Sequence, residues 1–201
     1  MRATWAERSF SAAVYDFGVE REWLARPAGR LLWGTDVGLL YSSIRSLGTL
    51  PSGTSVLDVP CGGGLALRGL PPSLRYVGAD IAPRAATLSQ VAADIERLPF
   101  ADNEFDVCVT FNGLHCVPDP AAALRELARC LKPGGKLLGD TIVRGAGRRY
   151  DLTIGAFQRV GLFGPGGTAE ALARWLADAG FRPDTLTHSG AVVHFAATRA
   201  S

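Results

Sequence analysis

The sequence predicts an α/β fold, in which a doubly wound, mostly parallel sheet of seven strands ends in an antiparallel hairpin at one edge. Three observations support this prediction. Short apolar runs alternate with helical patterns between residues 53 and 143. The run 104–112 is mostly apolar, as in strands covered by helices on both faces. Two strand-like runs follow one another directly after the last helix, which predicts the hairpin.

Each element has its own signal in the sequence. The expected strands are 55–60, 76–81, 91–95, 104–112, 135–143, 184–189 and 191–199. The clearest helix is 119–135, where Asp119 suits the N-cap and Pro120 the first turn. Its apolar stripe consists of Leu124, Leu127, Ala128 and Leu131. Further helices are expected just after residue 64, at 85–90 and from Thr168, and residues 1–50 are helical in pattern and rich in aromatic side chains.

Length and composition limit the possible functions. The 201 residues suit one domain, and a formal net charge of +2 is too small to indicate nucleic-acid binding. No run approaches the ~20 apolar residues of a membrane span, and early charged residues argue against a signal peptide, so a cytoplasmic protein is expected. The four cysteines are interpreted as free thiols, and no metal site is expected. The pattern does not indicate an oligomeric state.

Three acidic residues stand near the ends of separate predicted strands: Asp58, Asp80 and Asp94. Ligands of such sheets bind outside the carboxyl ends of the strands. The glycine cluster at 61–64 lets the backbone approach a ligand closely, because no Cβ intervenes. Asp80 lies 22 residues beyond Asp58, and a carboxylate at that position can accept two hydrogen bonds from a ribose diol. An adenosine-containing cofactor is therefore expected.

Two cofactor classes compete for this site. A dinucleotide site requires the pattern G-x-G-x-x-G, but here Gly62 and Gly64 are followed by Leu67 instead of a third glycine. The G-K-[ST] of a phosphate-binding P-loop does not occur. A cofactor without phosphates needs neither feature. S-adenosylmethionine is such a cofactor, and it is favoured over a nicotinamide dinucleotide.

Four segments then resemble a known family. They are VLDVPCGGG, YVGADI, AADIERLPFADNEFDVCVTFNGLHCVPDP and LKPGGKLL. In this order and spacing they are similar to the motifs of class I S-adenosylmethionine-dependent methyltransferases, of the type 11 group that contains ubiquinone/menaquinone C-methyltransferases. The resemblance spans about residues 53–143. It implies a Rossmann-like fold and methyl transfer, and the aromatic side chains outside the sheet motifs indicate a small, largely apolar metabolite as the acceptor. The alternatives are a non-catalytic module that binds an adenosyl ligand and a nicotinamide-dependent oxidoreductase.

The resemblance also implies roles for residues on the adenosine side of the site. Asp80 would bind the ribose hydroxyls, and Ile81 would pack on the adenine. Asp94 would accept a hydrogen bond from the adenine amino group, and the backbone of Ile95 would reach the ring.

On the methionine side, the loop of Pro60, Cys61 and Gly62 would run beside the cofactor. Phe111 and Asn112 would border the methionine amino group, and Asp58 would organise the loop or meet that group through water.

Two features qualify this assignment. Pro60 stands where the family commonly has the first glycine of D-x-G-x-G-x-G, and proline offers no N–H to a ligand. Tyr15, in AAVYD, is similar to an N-terminal Tyr-Asp that covers the cofactor in some relatives.

The acceptor pocket is expected from two segments that the sheet motifs do not use, 1–50 and the glycine-rich 144–167. We expect them to form a cap over the carboxyl edge of the sheet. The expected lining is Tyr15, Trp23, Trp33, Phe157 and Phe163, with Arg148 or Arg149 at the mouth. His115 is either a general base or a packing residue, and no catalytic residue is assigned.

Overall fold

The computed structural model describes residues 21–82 and 90–200. Seven strands form a single sheet in it. They are β1 (Ser55–Asp58), β2 (Arg75–Asp80), β3 (Gln90–Ala92), β4 (Phe105–Thr110), β5 (Leu131–Ile142), β6 (Phe181–Ser189) and β7 (Val192–Arg199).

The strands lie side by side in the order β3-β2-β1-β4-β5-β7-β6. The first five in this order are parallel to their neighbours, whereas β7 runs antiparallel to both β5 and β6. The predicted fold class is confirmed, including the hairpin at the edge. From β1 the chain builds the sheet first toward β3 and then, beginning at β4, toward the other edge. This reversal places the topological switch point, where ligands of such sheets bind, between β1 and β4.

Five α-helices pack around the sheet in the described residues. They are α1 (Glu22–Trp33), α2 (Gly38–Ser46), α3 (Pro120–Cys130), α4 (Arg148–Arg159) and α5 (Ala169–Asp178). Helix α3 begins where the sequence predicts, since the Asp119 side chain accepts a hydrogen bond from the N–H of Ala122 (2.9 Å). In the same way the hydroxyl of Thr168 accepts from the N–H of Ala171 (3.2 Å) and caps α5.

The sheet has an apolar core on each face, because successive side chains of a strand point to opposite sides. Leu57 of β1 packs in one core with Leu124 and Leu127 of α3 and Leu172 of α5. Its neighbour Val56 packs in the other core, which α2 covers. Two covered faces explain why the central strands are apolar throughout.

Most predicted boundaries differ from the observed ones, and three of the differences have a clear cause in the sequence. Helix α3 ends at Cys130 instead of 135, and β5 already begins at Leu131. Lys132 precedes Pro133, and a residue before proline is disfavoured in helical conformation. Strand β1 ends at Asp58, since Pro60 has no N–H to continue the ladder.

The helix expected at 85–90 falls mostly outside the described residues, and Gln90 itself begins β3. The segment 144–167 contains helix α4, which the glycine content of this segment did not indicate. Among the helices described, none is long and apolar enough to cross a membrane.

Candidate cofactor and acceptor site

The predicted site residues meet at the carboxyl edge of the sheet. Asp58 is the last residue of β1, and Asp80 is the last residue of β2. Asp94 follows β3 by two residues, and Phe111 and Asn112 follow β4 directly. Because these strands are parallel neighbours, their ends line one crevice at the switch point.

Asp80 joins the end of β2 to the glycine loop. Its Oδ2 accepts a hydrogen bond from the N–H of Gly62, and its Oδ1 accepts one from the N–H of Ala82, both at 2.9 Å. The side chain is buried, so these bonds hold it in one position. A carboxylate offers about four lone-pair sites, so each oxygen can still accept a hydrogen bond from a ligand hydroxyl.

The loop after β1 depends on left-handed backbone at two glycines. Gly62 has φ +49° and Gly64 has φ +81°, a region that glycine enters without steric cost. The N–H of Cys61 donates to the carbonyl of Ala79 (2.9 Å), which ties the loop to β2. The side-chain amide of Gln90 donates to the carbonyl of Gly62 (3.0 Å). Sequence reasoning missed Gln90, because no motif marks it.

Pro60 makes this turn in a way that the common glycine pattern does not. It follows a cis peptide bond, and its ring lies against Gly113. A Cβ added at Gly113 would stand 2.3 Å from the Cδ of Pro60. The residue after the β4 turn must therefore be glycine because Pro60 is its neighbour.

Asp58 is fully buried beneath the loop. Its Oδ2 accepts a hydrogen bond from the hydroxyl of Tyr76 (2.9 Å). Burial raises the pKa of Asp58 to about 7, the hydrogen bond from Tyr76 opposes this rise, and the charge of Asp80 adds to it. Its burial and its bond to Tyr76 suit a residue that organises the loop.

The remaining predicted adenosine-side residues are placed differently from one another. Asp94 is exposed, and its Oδ1 accepts a hydrogen bond from the N–H of Glu96 (2.9 Å). Ile95 is buried, whereas the side chain of Ile81 is 52% exposed. An isoleucine this exposed next to Asp80 is available to pack against a ligand ring.

The turn after β4 rests on a residue that sequence reasoning missed. Phe111 is buried, and Asn112 is left-handed (φ +54°). The N–H of Asn112 donates to Oδ1 of Asp140 on β5 (2.6 Å). Burial raises the pKa of Asp140 to about 7, and the bond from Asn112 opposes this rise. Its Oδ2 lies 3.5 Å from Nδ1 of His194. The sequence signal that could have identified Asp140 was the presence of an acidic residue inside the otherwise apolar run of β5.

His115 lies just beyond this turn and is buried. Its Nδ1 accepts a hydrogen bond from the N–H of Ile142 (3.4 Å), and its Nε2 has no hydrogen-bond partner among the described residues. Burial lowers the pKa of His115 to about 3, so the imidazole is neutral at physiological pH. Its ring stands edge to face with Phe163, with the centroids 4.5 Å apart.

Three of the five residues predicted to line the acceptor pocket come together beside His115. We call Trp33, Phe157 and Phe163 the aromatic cluster. Its ring centroids are 5.7 Å apart for Trp33–Phe157, 5.8 Å for Trp33–Phe163 and 5.0 Å for Phe157–Phe163. The cluster joins the end of α1 to the segment 157–163, as a cap would require.

Among the described residues, Trp23 does not join the aromatic cluster. Trp23 is 71% exposed, and Tyr15 lies outside the described residues. Arg148 and Arg149 are exposed at the start of α4, and Arg149 donates to the hydroxyl of Tyr150 (2.6 Å).

Comparisons with known proteins agree with the motifs and the fold. A family model described as a methyltransferase domain matches residues 57–139. A demethylmenaquinone methyltransferase of Corynebacterium urealyticum is 37% identical over 131 residues, which cover 62% of this chain and 50% of that protein. The chain spans half or less of the length of the curated relatives that it matches.

Solved structures share the whole architecture at low sequence identity. A chain of the complex between the Haloferax volcanii Trm112 methyltransferase activator and a putative methyltransferase has a TM-score of 0.69 at 17% identity, covering 96% of this chain and 98% of its own length. The cyclase SpnF has a TM-score of 0.67 at 18% identity, covering 100% and 98%. Over residues 57–139 the chain is thus similar to a methyltransferase domain, and its fold is similar to that of these solved structures.

Proposed function

We propose that this chain transfers the methyl group of S-adenosylmethionine to a small, largely apolar acceptor. The observation that carries the proposal is Asp80, whose buried carboxylate links the glycine loop to the end of β2 and keeps lone pairs for a ribose diol. This linkage lies beside the switch point between β1 and β4, where sheets of this topology bind their ligands.

The described residues fit this cofactor. Gly62 and Gly64 leave the loop without side chains on its ligand side, so a cofactor can lie close to the backbone. In the proposal, Ile81 packs on the adenine, the backbone of Ile95 reaches the ring and Asp94 accepts from its amino group. Cys61 and the rest of the 60–64 loop run beside the methionine portion, which Phe111 and Asn112 border. Pro60 contributes no N–H to this contact.

The acceptor would lie on the β4–β5 side of the crevice, next to the aromatic cluster. An apolar lining with a few polar groups is typical of small-molecule pockets. The cap would consist of residues from 1–50 and 144–167, and the part of it formed by the aromatic cluster supports this arrangement. Because relatives include demethylmenaquinone methyltransferases, a quinol is the first acceptor class to assay.

The bound cofactor would supply an activated methyl group, which leaves sulfur as a neutral thioether without needing an acid. The chain's own contribution is to position the two reactants and to exclude water. No residue is assigned as a general base. A cytoplasmic location stays a prediction.

The test has two steps that separate this function from its rivals. Equilibrium binding of S-adenosylhomocysteine and of NAD is measured first, and we expect only the former to bind stoichiometrically. Transfer from methyl-labelled cofactor to a short-chain demethylmenaquinol, and to a lipid extract, is measured second, with Asp80→Ala as the inactive control. Binding without any transfer would indicate a non-catalytic module, and binding of NAD alone would indicate an oxidoreductase.

A further inference from the structure

His115 presents a polar atom that the chain itself leaves without a partner. The imidazole is buried between the turn after β4, the end of β5 and the aromatic cluster. Its Nε2 is fully enclosed and has no hydrogen-bond partner among the described residues. A buried polar group without a partner destabilises a fold, and in native proteins such groups call for an explanation.

The hydrogen bonds of the ring identify which nitrogen carries the proton. Nδ1 accepts from the N–H of Ile142, so its lone pair is in use and it carries no hydrogen. The ring is neutral, because burial lowers the pKa of His115 to about 3. The remaining hydrogen of a neutral imidazole must then lie on Nε2. The unpartnered atom is therefore a donor and not a base.

The surroundings of this donor are flat and apolar. Phe163 stands edge to face with the His115 ring, and Phe157 and Trp33 pack behind it with ring planes 19° and 29° from that of Phe163. Rings of this kind hold planar apolar molecules, and a single oriented polar group among them supplies specificity. The backbone contributes to the same enclosure, since the N–H of Gly164 donates to the carbonyl of His115 (3.0 Å).

We propose that Nε2–H of His115 donates a hydrogen bond to a carbonyl or oxyanion oxygen of the methyl acceptor, while the aromatic cluster holds the planar apolar body that carries this oxygen. The ligand class is thus a planar, oxygen-bearing ring compound. The inference rests on the proposed function in taking this part of the crevice as the acceptor site. The inference also excludes a general-base role for His115, because a nitrogen that already carries a hydrogen cannot take up a proton from the methyl acceptor.

A binding experiment tests this without requiring catalysis. 1-Tetralone and tetralin share one bicyclic skeleton and differ in a single carbonyl oxygen, which can only accept hydrogen bonds. Their dissociation constants are measured by calorimetry with and without S-adenosylhomocysteine. We expect the ratio of the tetralin to the tetralone constant to fall about tenfold in His115→Phe relative to the wild type. The affinity for S-adenosylhomocysteine should stay unchanged.

Two further variants keep the test decisive if His115→Phe fails to fold. The amide nitrogen of His115→Gln reaches the Nε2 position and should preserve the wild-type ratio, whereas His115→Asn reaches only the Nδ1 position and should lose it. The proposal is overturned if neither compound binds the wild type, or if the ratio is equal in all foldable variants. The latter is the result expected if Nε2–H instead points at the face of Phe163. A failure of methyl transfer would overturn the proposed function and leave this ratio unaffected.

Discussion

The carboxyl edge of the sheet has two halves that are built in different ways. The half proposed to bind the cofactor, called the cofactor half, consists of β1, β2 and the glycine loop. Its buried carboxylates are paired with nearby donors: Asp80 with Gly62 and Ala82, and Asp58 with Tyr76. The half proposed to bind the acceptor, called the acceptor half, consists of β4, β5, β7 and the cap segments, and it contains buried polar atoms that lack partners within the described chain. These atoms are Thr35 Oγ1, Thr110 Oγ1, His115 Nε2 and His194 Nε2.

We infer from this difference that the two halves are preorganised to different degrees before their ligands bind. Paired groups of the cofactor half are held in place before a ligand arrives, which lowers the cost of ordering them on binding. The acceptor half keeps unsatisfied donors and acceptors, whose cost a suitable ligand or water can offset. Variants in the first half should therefore act on cofactor affinity, and variants in the second should act on acceptor recognition and on the cap.

The largest effect is expected at Asp80. Asp80→Ala removes the hydrogen bonds to the glycine loop together with two proposed bonds to the ribose, so affinity for S-adenosylhomocysteine should fall about a hundredfold or more. Calorimetry measures this directly. Asp94→Ala is the matched control, because this exposed acid should cost less. Equal affinities of wild type and a folded Asp80→Ala protein would remove Asp80 from the site.

A second prediction concerns the charge of Asp58 and uses Asp58→Asn. In the unfolded chain this carboxyl ionises near its ordinary pKa of 3.8, whereas in the folded protein its pKa is about 7. Between these values the folded state holds a proton that the unfolded state has released. The stability that Asp58 contributes is therefore complete below pH ~4 and is lost as pH rises through about 7.

Asparagine cannot ionise, yet its oxygen can still accept from Tyr76. The variant should therefore gain about 2–3 kcal/mol over the wild type between pH 5 and pH 8, at about 1.4 kcal/mol per unit of pKa. The lowered pKa values of His115 and His194 make the stability of both proteins rise with pH. This contribution is the same in wild type and variant, so it cancels in the difference between them. Urea unfolding at several pH values measures this difference in the free energy of unfolding. If stability depends on pH in the same way in both proteins, Asp58 is not buried as described.

The positions of the residues in the cofactor half were largely predictable from the sequence. Its residues lie close along the chain, at the ends of successive strands, and a left-handed turn after β1 requires glycine at Gly62 and Gly64. Site residues that lie this close in sequence form short motifs that can be recognised. What those motifs did not indicate was Gln90, whose amide reaches across to the loop from β3.

The acceptor half was predictable only in part. The aromatic residues Trp33, Phe157 and Phe163 were expected in one pocket, and the structure brings them together. Helix α4 was missed because the glycines of the segment 144–167 suggested a loop, although Ile154 is buried against the sheet edge. Asp140 was missed because its partner is the backbone of Asn112, 28 residues away, and no local pattern records such a contact.

Asp140 provides the third prediction, which tests how strictly the two halves are separate. Asp140→Ala removes the acceptor that holds the turn at Asn112, so cofactor affinity should fall about tenfold through loss of one charge-assisted hydrogen bond. Asp140→Asn keeps an oxygen for that N–H and should fall less. Wild-type cofactor affinity in Asp140→Ala would mean that Asn112 does not border the cofactor.

The smallest effect is expected in the cap, where limited trypsin digestion reports local opening. Arg144, Arg148, Arg149 and Arg159 are exposed in the segment 144–167, but cleavage near or within α4 requires the helix to open. Saturating S-adenosylhomocysteine should slow cleavage at these arginines by about threefold, since a ligand that binds only the closed state lowers the open population. Arg125, exposed on helix α3 outside this segment, is the internal control. Equal slowing at Arg125 would indicate global stabilisation, and cleavage that does not respond to the ligand would mean that 144–167 does not open. Protection confined to 144–167 would mean that the acceptor half is the mobile one. Its cap segment would then close over a cofactor half whose residues are already in position.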